Sequence, residues 1–328
     1  MIERNSDGAR GVERAAWPLL VAHAALIVFS TWALCTFLAG PPPAWLQTPT
    51  NQKVLRFAWS FSGPTYVTLG ALAALCHATG KFGWRRALAL FGVGYAISLG
   101  AELLGTGTGY PFGPYSYTPL LGYMVGGRVP FPIPLSWFFM VYASIAIVGR
   151  LLPVREGLAN KLAWSALGGA VLTAWDVSMD PAMTAATQHW VWHVKGAFYG
   201  MPYSNWFGWW LTGSVVAFAM LSIVPRREVR DRLSPTRFPL ALYAINGVMP
   251  IALCARDGLW WAVLWGALAM AAPLVLAWRS SRGRAPAAVA AQRFDPARSG
   301  AVSGSASSSG RSQVGGPPRV AAEGSGRS

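Results

Sequence analysis

Three carboxylic acids stand where an apolar chain rarely places them. Glu102 falls near the end of one apolar stretch, and Asp176 and Asp180 fall at the end of another. An ionisable side chain inside a bilayer costs about 2.5–3.5 kcal/mol on insertion scales, so an acid kept there has a function by default. The plainer accounts are an ion pair with Arg128 or Lys195, a polar group at the water interface, or, for Asp180, a helix break ahead of Pro181. Asp176 and Asp180 are four residues apart and share one face if the helix persists that far.

Aromatic residues crowd around these acids. Between Gln188 and Trp210, nine of 23 residues are Phe, Tyr or Trp, and the connection from Gly105 to Phe131 is dense in Gly, Pro and Tyr. An interfacial aromatic belt explains part of this. A poorly solvated pocket also keeps a carboxyl neutral and able to donate a proton. Ring faces stabilise a cation by about 0.5–2 kcal/mol per good contact. Together they suit proton addition to an alkene of a long apolar substrate, giving a tertiary carbocation. Water capture, attack by a second double bond or proton loss would make the protein a hydratase, a cyclase or an isomerase. The residue pattern alone leaves the three open.

His189 and His193 form an HxxxH pair, one turn apart on a helix, and with an aspartate could hold a single metal. Four histidines are too few for a membrane di-iron centre, and ordinary hydrogen bonding is the expectation, with no metal. Cys35, Cys76 and Cys254 show no CxxC spacing, which argues against a disulfide framework or a thiolate metal site.

The elements that must carry these residues follow from composition. Of 328 residues, 53% are hydrophobic and only 12% charged, about half the charge of a soluble protein. The fold class expected is an all-α integral membrane protein, a polytopic bundle of about eight transmembrane helices. Apolar stretches of nearly spanning length run from Trp17 to Ala39, Phe57 to Ala78, Ala87 to Leu104, Pro132 to Leu152, Leu162 to Val177, Phe207 to Val224, Phe238 to Ala255 and Leu259 to Trp278. Eight crossings leave Lys53, Arg56, Arg128, Lys195 and Arg256 on one side and the other 22 of the 27 Lys and Arg on the opposite side. By the positive-inside rule both termini are cytoplasmic, in the cell inner (plasma) membrane. The net charge of +15 is thus orientation, and no nucleic-acid partner is expected. Residues 1–16 read as a cytoplasmic tail, unfolded before Ala15, 17–279 as the transmembrane domain with its chemistry in about 102–210, and 280–328 as a disordered cytoplasmic tail. No internal repeat supports a transporter.

Two blocks carry a family resemblance. Glu102, Gly105, Pro111-Phe112-Gly113, Tyr115, Tyr117, Leu121-Gly122, Pro130 and Pro134-Leu135-Ser136-Trp137 form the first. Asp176, Asp180-Pro181, Trp190, Trp192, Gly196, Tyr199-Gly200, Pro202, Asn205 and Gly208-Trp209 form the second. In order and spacing they resemble the membrane carotenoid-biosynthesis hydratases, of the γ-carotene and bisanhydrobacterioruberin hydratase type. The flanking stretches match only in hydropathy. The resemblance implies a carbon–oxygen lyase that adds water, without a cofactor, to the terminal double bond of an acyclic ψ end. Its partners would be a long acyclic or monocyclic carotenoid and membrane lipid.

The roles expected on this basis are our own. Asp176 or Asp180 donates the proton, and Glu102 positions or deprotonates water. Trp175, Trp190, Trp192 and Tyr199 shield the cation, while Asn205 and Tyr117 hold the water. Tyr115, Trp137 and His193 complete the expected substrate site. The rival readings are a lycopene-cyclase-like enzyme, whose product keeps the substrate's mass, and a non-enzymatic carotenoid or lipid carrier, which needs the rings but not the acids.

Overall fold

The computed structural model describes residues 2–37 and 43–282. They form an all-α, polytopic bundle: α1 (Ile2–Phe37), α2 (Pro49–Phe82), α3 (Trp84–Thr108), α4 (Pro132–Leu151), α5 (Leu158–Pro181) and α6 (Tyr203–Ile223). A single turn, α7 (Arg226–Glu228), leads to α8 (Phe238–Asn246) and α9 (Val248–Arg256), joined across Gly247, and then to α10 (Trp260–Arg282). The eight apolar stretches fall on these elements, the seventh divided between α8 and α9; residues 38–39 of the first lie outside the described residues.

Among the described residues, six segments are long and apolar enough to cross a membrane: Gly11–Phe37, Trp84–Thr108, Pro132–Leu151, Tyr203–Ile223, Phe238–Arg256 and Trp260–Ser280. The long helices α2 and α5 fall short because polar residues dilute them. Helix α4 is apolar all round and 94% buried over its spanning window, whereas α10 is only 22% buried over its own. An all-round apolar helix belongs inside, so α4 is the axis of the bundle. Helices α1 and α10 instead turn Trp17, Phe29, Trp32, Trp260, Trp261 and Trp265 outward, the surface a lipid-facing helix presents.

One expectation is corrected at the amino end. The stretch before Ala15 is helical from Ile2, continuous with the apolar part of α1. Adding a residue to an existing helix is far easier than starting one, and Glu13 pairs with Lys81 of α2 at 2.5 Å. The tail expected from Ser280 begins as helix through Arg282, and its remainder lies outside the described residues.

Cationic residues gather at one end of the bundle. Arg86 at the start of α3 pairs with Glu228 at 3.0 Å, Arg226 donates to the Arg155 carbonyl at 3.0 Å, and Arg150 donates to the Thr236 carbonyl at 2.9 Å. Glu102 lies eighteen residues along α3 from Trp84, about 27 Å away at 1.5 Å per residue. The acids and the basic end are therefore well separated along the bundle.

The two long connections pair with each other. β1 (Tyr115–Tyr117) runs antiparallel to β4 (Trp190–Trp192), with Tyr115 opposite Trp192, Ser116 opposite Val191 and Tyr117 opposite Trp190. A second ribbon joins β2 (Met124–Val125) to β3 (Val129–Pro130). Helix α5 continues past Pro181 as one π turn, Ala182–Ala186, so Asp180 is not a helix break.

Candidate active site

Strand alternation builds one wall of the site. Successive side chains point to opposite faces, so the β1–β4 register sends Tyr115, Tyr117, Trp190 and Trp192 to the same cavity and leaves Ser116 and Val191 exposed. Tyr115 lies 5.3 Å from Trp192 between ring centroids, and Tyr117 lies 5.7 Å from Trp190. Two glycines close the corner. A Cβ on Gly105 of α3 would come within 2.7 Å of the Phe112 ring, and one on Gly208 of α6 within 2.5 Å. Phe112 is thus wedged between two helices at positions where no side chain fits.

Helices supply the other walls. Trp137 of α4 stacks on Trp209 of α6 at 4.4 Å, and Trp175 of α5 meets Trp209 edge-on at 5.9 Å. Glu102, Asp180, Asn205, Met179 and Met183 also line the cavity. Its volume is about 80 Å³, whereas one water needs about 10–15 Å³ on the same measure. A branched hydrocarbon end and a water both fit.

The three acids are buried and differently held. Glu102 accepts the Tyr115 hydroxyl and the Tyr117 hydroxyl (2.8 Å) on Oε2, and the Trp137 indole N–H (3.0 Å) on Oε1. Asp180 accepts the indoles of Trp192 on Oδ1 and Trp190 on Oδ2, each at 3.0 Å. The Asn205 amide donates to Oδ2 of Asp176 at 2.8 Å and, more weakly, to Oδ2 of Asp180 at 3.4 Å. Asp176 Oδ1 is buried with no hydrogen-bond partner among the described residues. No Lys or Arg of the described ion pairs reaches any of the three acids, which removes the Arg128 and Lys195 alternatives for them.

Burial, and after it the neighbouring Glu102 carboxylate, hold the Tyr115 and Tyr117 phenols well above their usual pKa. Both therefore stay protonated and serve as donors to Glu102. Glu102 thus receives three donors, which between them reach both of its carboxyl oxygens.

Most residues singled out from the sequence converge here: Glu102, Asp180, Tyr115, Tyr117, Trp137, Trp175, Trp190, Trp192 and Asn205 line one cavity, with Asp176 directly behind Asn205. Two do not reach it. His193 follows β4 on the face opposite the two tryptophans, is exposed, and meets Ser116 Oγ at 3.0 Å through Nε2. Tyr199 sits in a tight turn at φ 52°, and its hydroxyl accepts the Trp261 backbone N–H at 3.1 Å. It anchors the start of α10 instead of shielding the cavity.

The helical spacing of His189 and His193 is also corrected, because strand β4 lies between them. Nδ1 of His189 is 2.6 Å from Thr187 Oγ1. Burial lowers the His189 pKa to about 4. Among the described residues no group of three or more His, Cys, Asp or Glu is placed to hold a metal.

The structure adds residues that the expected site omitted. Phe112 and Trp209 had a signal, since both lie within the two sequence blocks. Tyr66 of α2 and Asn246 of α8 had none, as they come from stretches legible only as apolar spans. They complete the far wall: the Trp175 indole donates to the Asn246 carbonyl at 2.8 Å, and the Asn246 amide meets His23 Nε2 at 3.2 Å. Nδ1 of His23 is 2.6 Å from the Tyr66 carbonyl, so this nitrogen carries the proton and Nε2 accepts.

The family described as "carotenoid biosynthesis protein" matches residues 62–273. Over 143 residues the chain is 34% identical to bisanhydrobacterioruberin hydratase of Haloarcula japonica, a match covering 44% of this chain and 47% of that protein. The chain thus spans about half the length of the curated relative it matches. No solved structure matches it.

Proposed function

The chain belongs to the carotenoid biosynthesis protein family, and on that premise we propose that it is a carotenoid hydratase, adding water to the terminal double bond of an acyclic ψ end. The observation that carries this reading is the meeting of Glu102 and Asp180 in one cavity walled by indole and phenol rings. The relative of Haloarcula japonica, a bisanhydrobacterioruberin hydratase, supports a carotenoid as substrate and water as the second reactant.

The proposed division of labour follows the hydrogen bonds. Asp176 and Asp180 share the Asn205 amide. Two buried carboxyls so close do not both ionise cheaply, so the pair keeps one proton. Asp180 is the member that lines the cavity and passes the proton to the alkene. The π electrons form the new C–H bond and leave a tertiary cation facing Trp137, Trp175 and Trp209. Water adds through its oxygen, and its surplus proton goes to Glu102, the carboxylate readied by three donors. The proton returns from Glu102 to the aspartate pair through incoming water, and the net change is the addition of H₂O. No electron is transferred, so these steps call for no cofactor. Asn205 then positions carboxylates, because its amide N–H groups are committed to them, in place of the water-holding role expected from the sequence.

We place the acid layer towards the non-cytoplasmic side and both termini in the cytoplasm, as the asymmetry of Lys and Arg favours. A reporter inserted between Gly105 and Phe131 that scores as cytoplasmic overturns that placement. The activity itself is tested by expressing the protein in a lycopene-producing bacterium and weighing the pigments. A hydratase yields a product heavier by one water, a cyclase yields one of unchanged mass, and a carrier leaves the pigment as it was. Full activity after replacing Glu102, Asp176 and Asp180 one at a time by their amides refutes the acid mechanism.

A further inference from the structure

The acid cavity does not close on itself. Tyr66, Met183 and Met249 line it and also line a second hollow, bounded by α1 from Phe29 to Phe37, by α2 from Leu55 to Tyr66, and by Met249 and Leu253 of α9. The walls of this trough are almost wholly apolar, and Phe29 and Trp45 on its rim are 60% and 59% exposed. Phe29 belongs to the apolar segment Gly11–Phe37, so that side of the rim lies on the surface a membrane would cover.

We propose that this trough is the binding site for the polyene chain of the substrate, which slides in from the bilayer between α1 and α2 until its end reaches the acids. The proposal rests on the reading of the protein as a carotenoid hydratase and adds where the rest of the molecule lies. Adjacency decides the occupant: Tyr66 and Met249 line both hollows, so a chain lying in the trough has its tip beside the cavity holding Glu102 and Asp180. From Tyr66 to Leu55 the wall of α2 is eleven residues long, about 16 Å at helical rise. That is roughly half of a hydrocarbon layer about 30 Å thick. The trough therefore grips the reacting half of a long carotenoid and leaves the remainder in lipid. Specificity then resides in the apolar chain next to the reacting end, which must be straight and slender enough to lie between two helices.

Ala33 lines the trough and is not among the residues lining the acid cavity. With the full-length protein in lipid vesicles and lycopene as substrate, Ala33→Trp is expected to raise KM about tenfold by filling the space, with kcat retained. Ala33→Leu should fall between it and the wild type, and decides the matter if the tryptophan variant does not fold. Ala22→Trp, on the exposed face of α1, should leave both constants unchanged. An unchanged KM in the Ala33 variants, or a fall confined to kcat, overturns the proposal and leaves a lipid acyl chain as the occupant. Absence of hydration by the wild-type protein instead sinks the functional reading beneath it.

Discussion

Glu102 and Asp176 are buried acids of the same bundle, yet Glu102 receives three hydrogen bonds and Asp176 receives one. Every acceptor oxygen of Glu102 faces a phenol or an indole, whereas Asp176 Oδ1 faces nothing that donates. An anion surrounded by donors has water's role taken over by the protein, and an orphaned oxygen has not. Within one low-dielectric region, the placement of a few N–H and O–H groups leaves one carboxyl fully satisfied and the other with an orphaned oxygen. The two therefore differ in what an amide in their place would cost. Asp180 stands between them, held by two indoles but sharing its amide with Asp176.

The strongest way to break this picture is Asp180→Asn, which removes the acid that faces the cavity. Hydration of lycopene in vesicles should fall about a thousandfold, within the range for losing a general acid. Glu102→Gln should cost about a hundredfold, and it should also lower the melting temperature. The new amide turns a donor towards Trp137 or towards the tyrosines, and a buried mismatch of that kind costs about 1–3 kcal/mol. Asp176→Asn sharpens the comparison from the other side. Its new amide group can occupy the position of Oδ1, where no donor waits, so melting should change little and the rate should fall about tenfold, far less than for Asp180→Asn. Equal melting losses in the Glu102 and Asp176 variants would remove the distinction drawn between them.

The smallest effect concerns His189, whose pKa burial lowers from the ordinary histidine value of 6.5 to about 4 in the folded protein. A histidine kept neutral by the fold contributes stability that is fully present above 6.5 and drains away as pH falls towards 4. Wild-type melting should therefore decline through that window more steeply than melting of His189→Gln. The readout is melting alone, measured without substrate, because His189 also lines the trough proposed for the polyene chain.

How much of this was legible beforehand depended on chemical rarity. In a chain with so few charges, an acid inside an apolar run stands out, and Glu102, Asp176 and Asp180 were found on that ground. The tryptophans and tyrosines of the two connections stood out by density. His193 and Tyr199 shared that density but not the orientation, because strand alternation and a tight turn sent them elsewhere. Ile27, Tyr66 and Met249 carried no signal at all, since an apolar residue facing a cavity and one facing a neighbouring helix obey the same hydropathy.

The amino-acid sequence by itself determined that this is a membrane bundle, roughly where its helices run, and which acids had to be accounted for, because hydrophobic burial and the cost of charge act residue by residue. Only the tertiary structure decided that β1 and β4 pair in the register that aims four rings inward, that Asn205 ties two aspartates together, and that α1 and α2 leave a trough leading to them. Those are relations between segments far apart in the chain, and their energies exist only once the helices have packed.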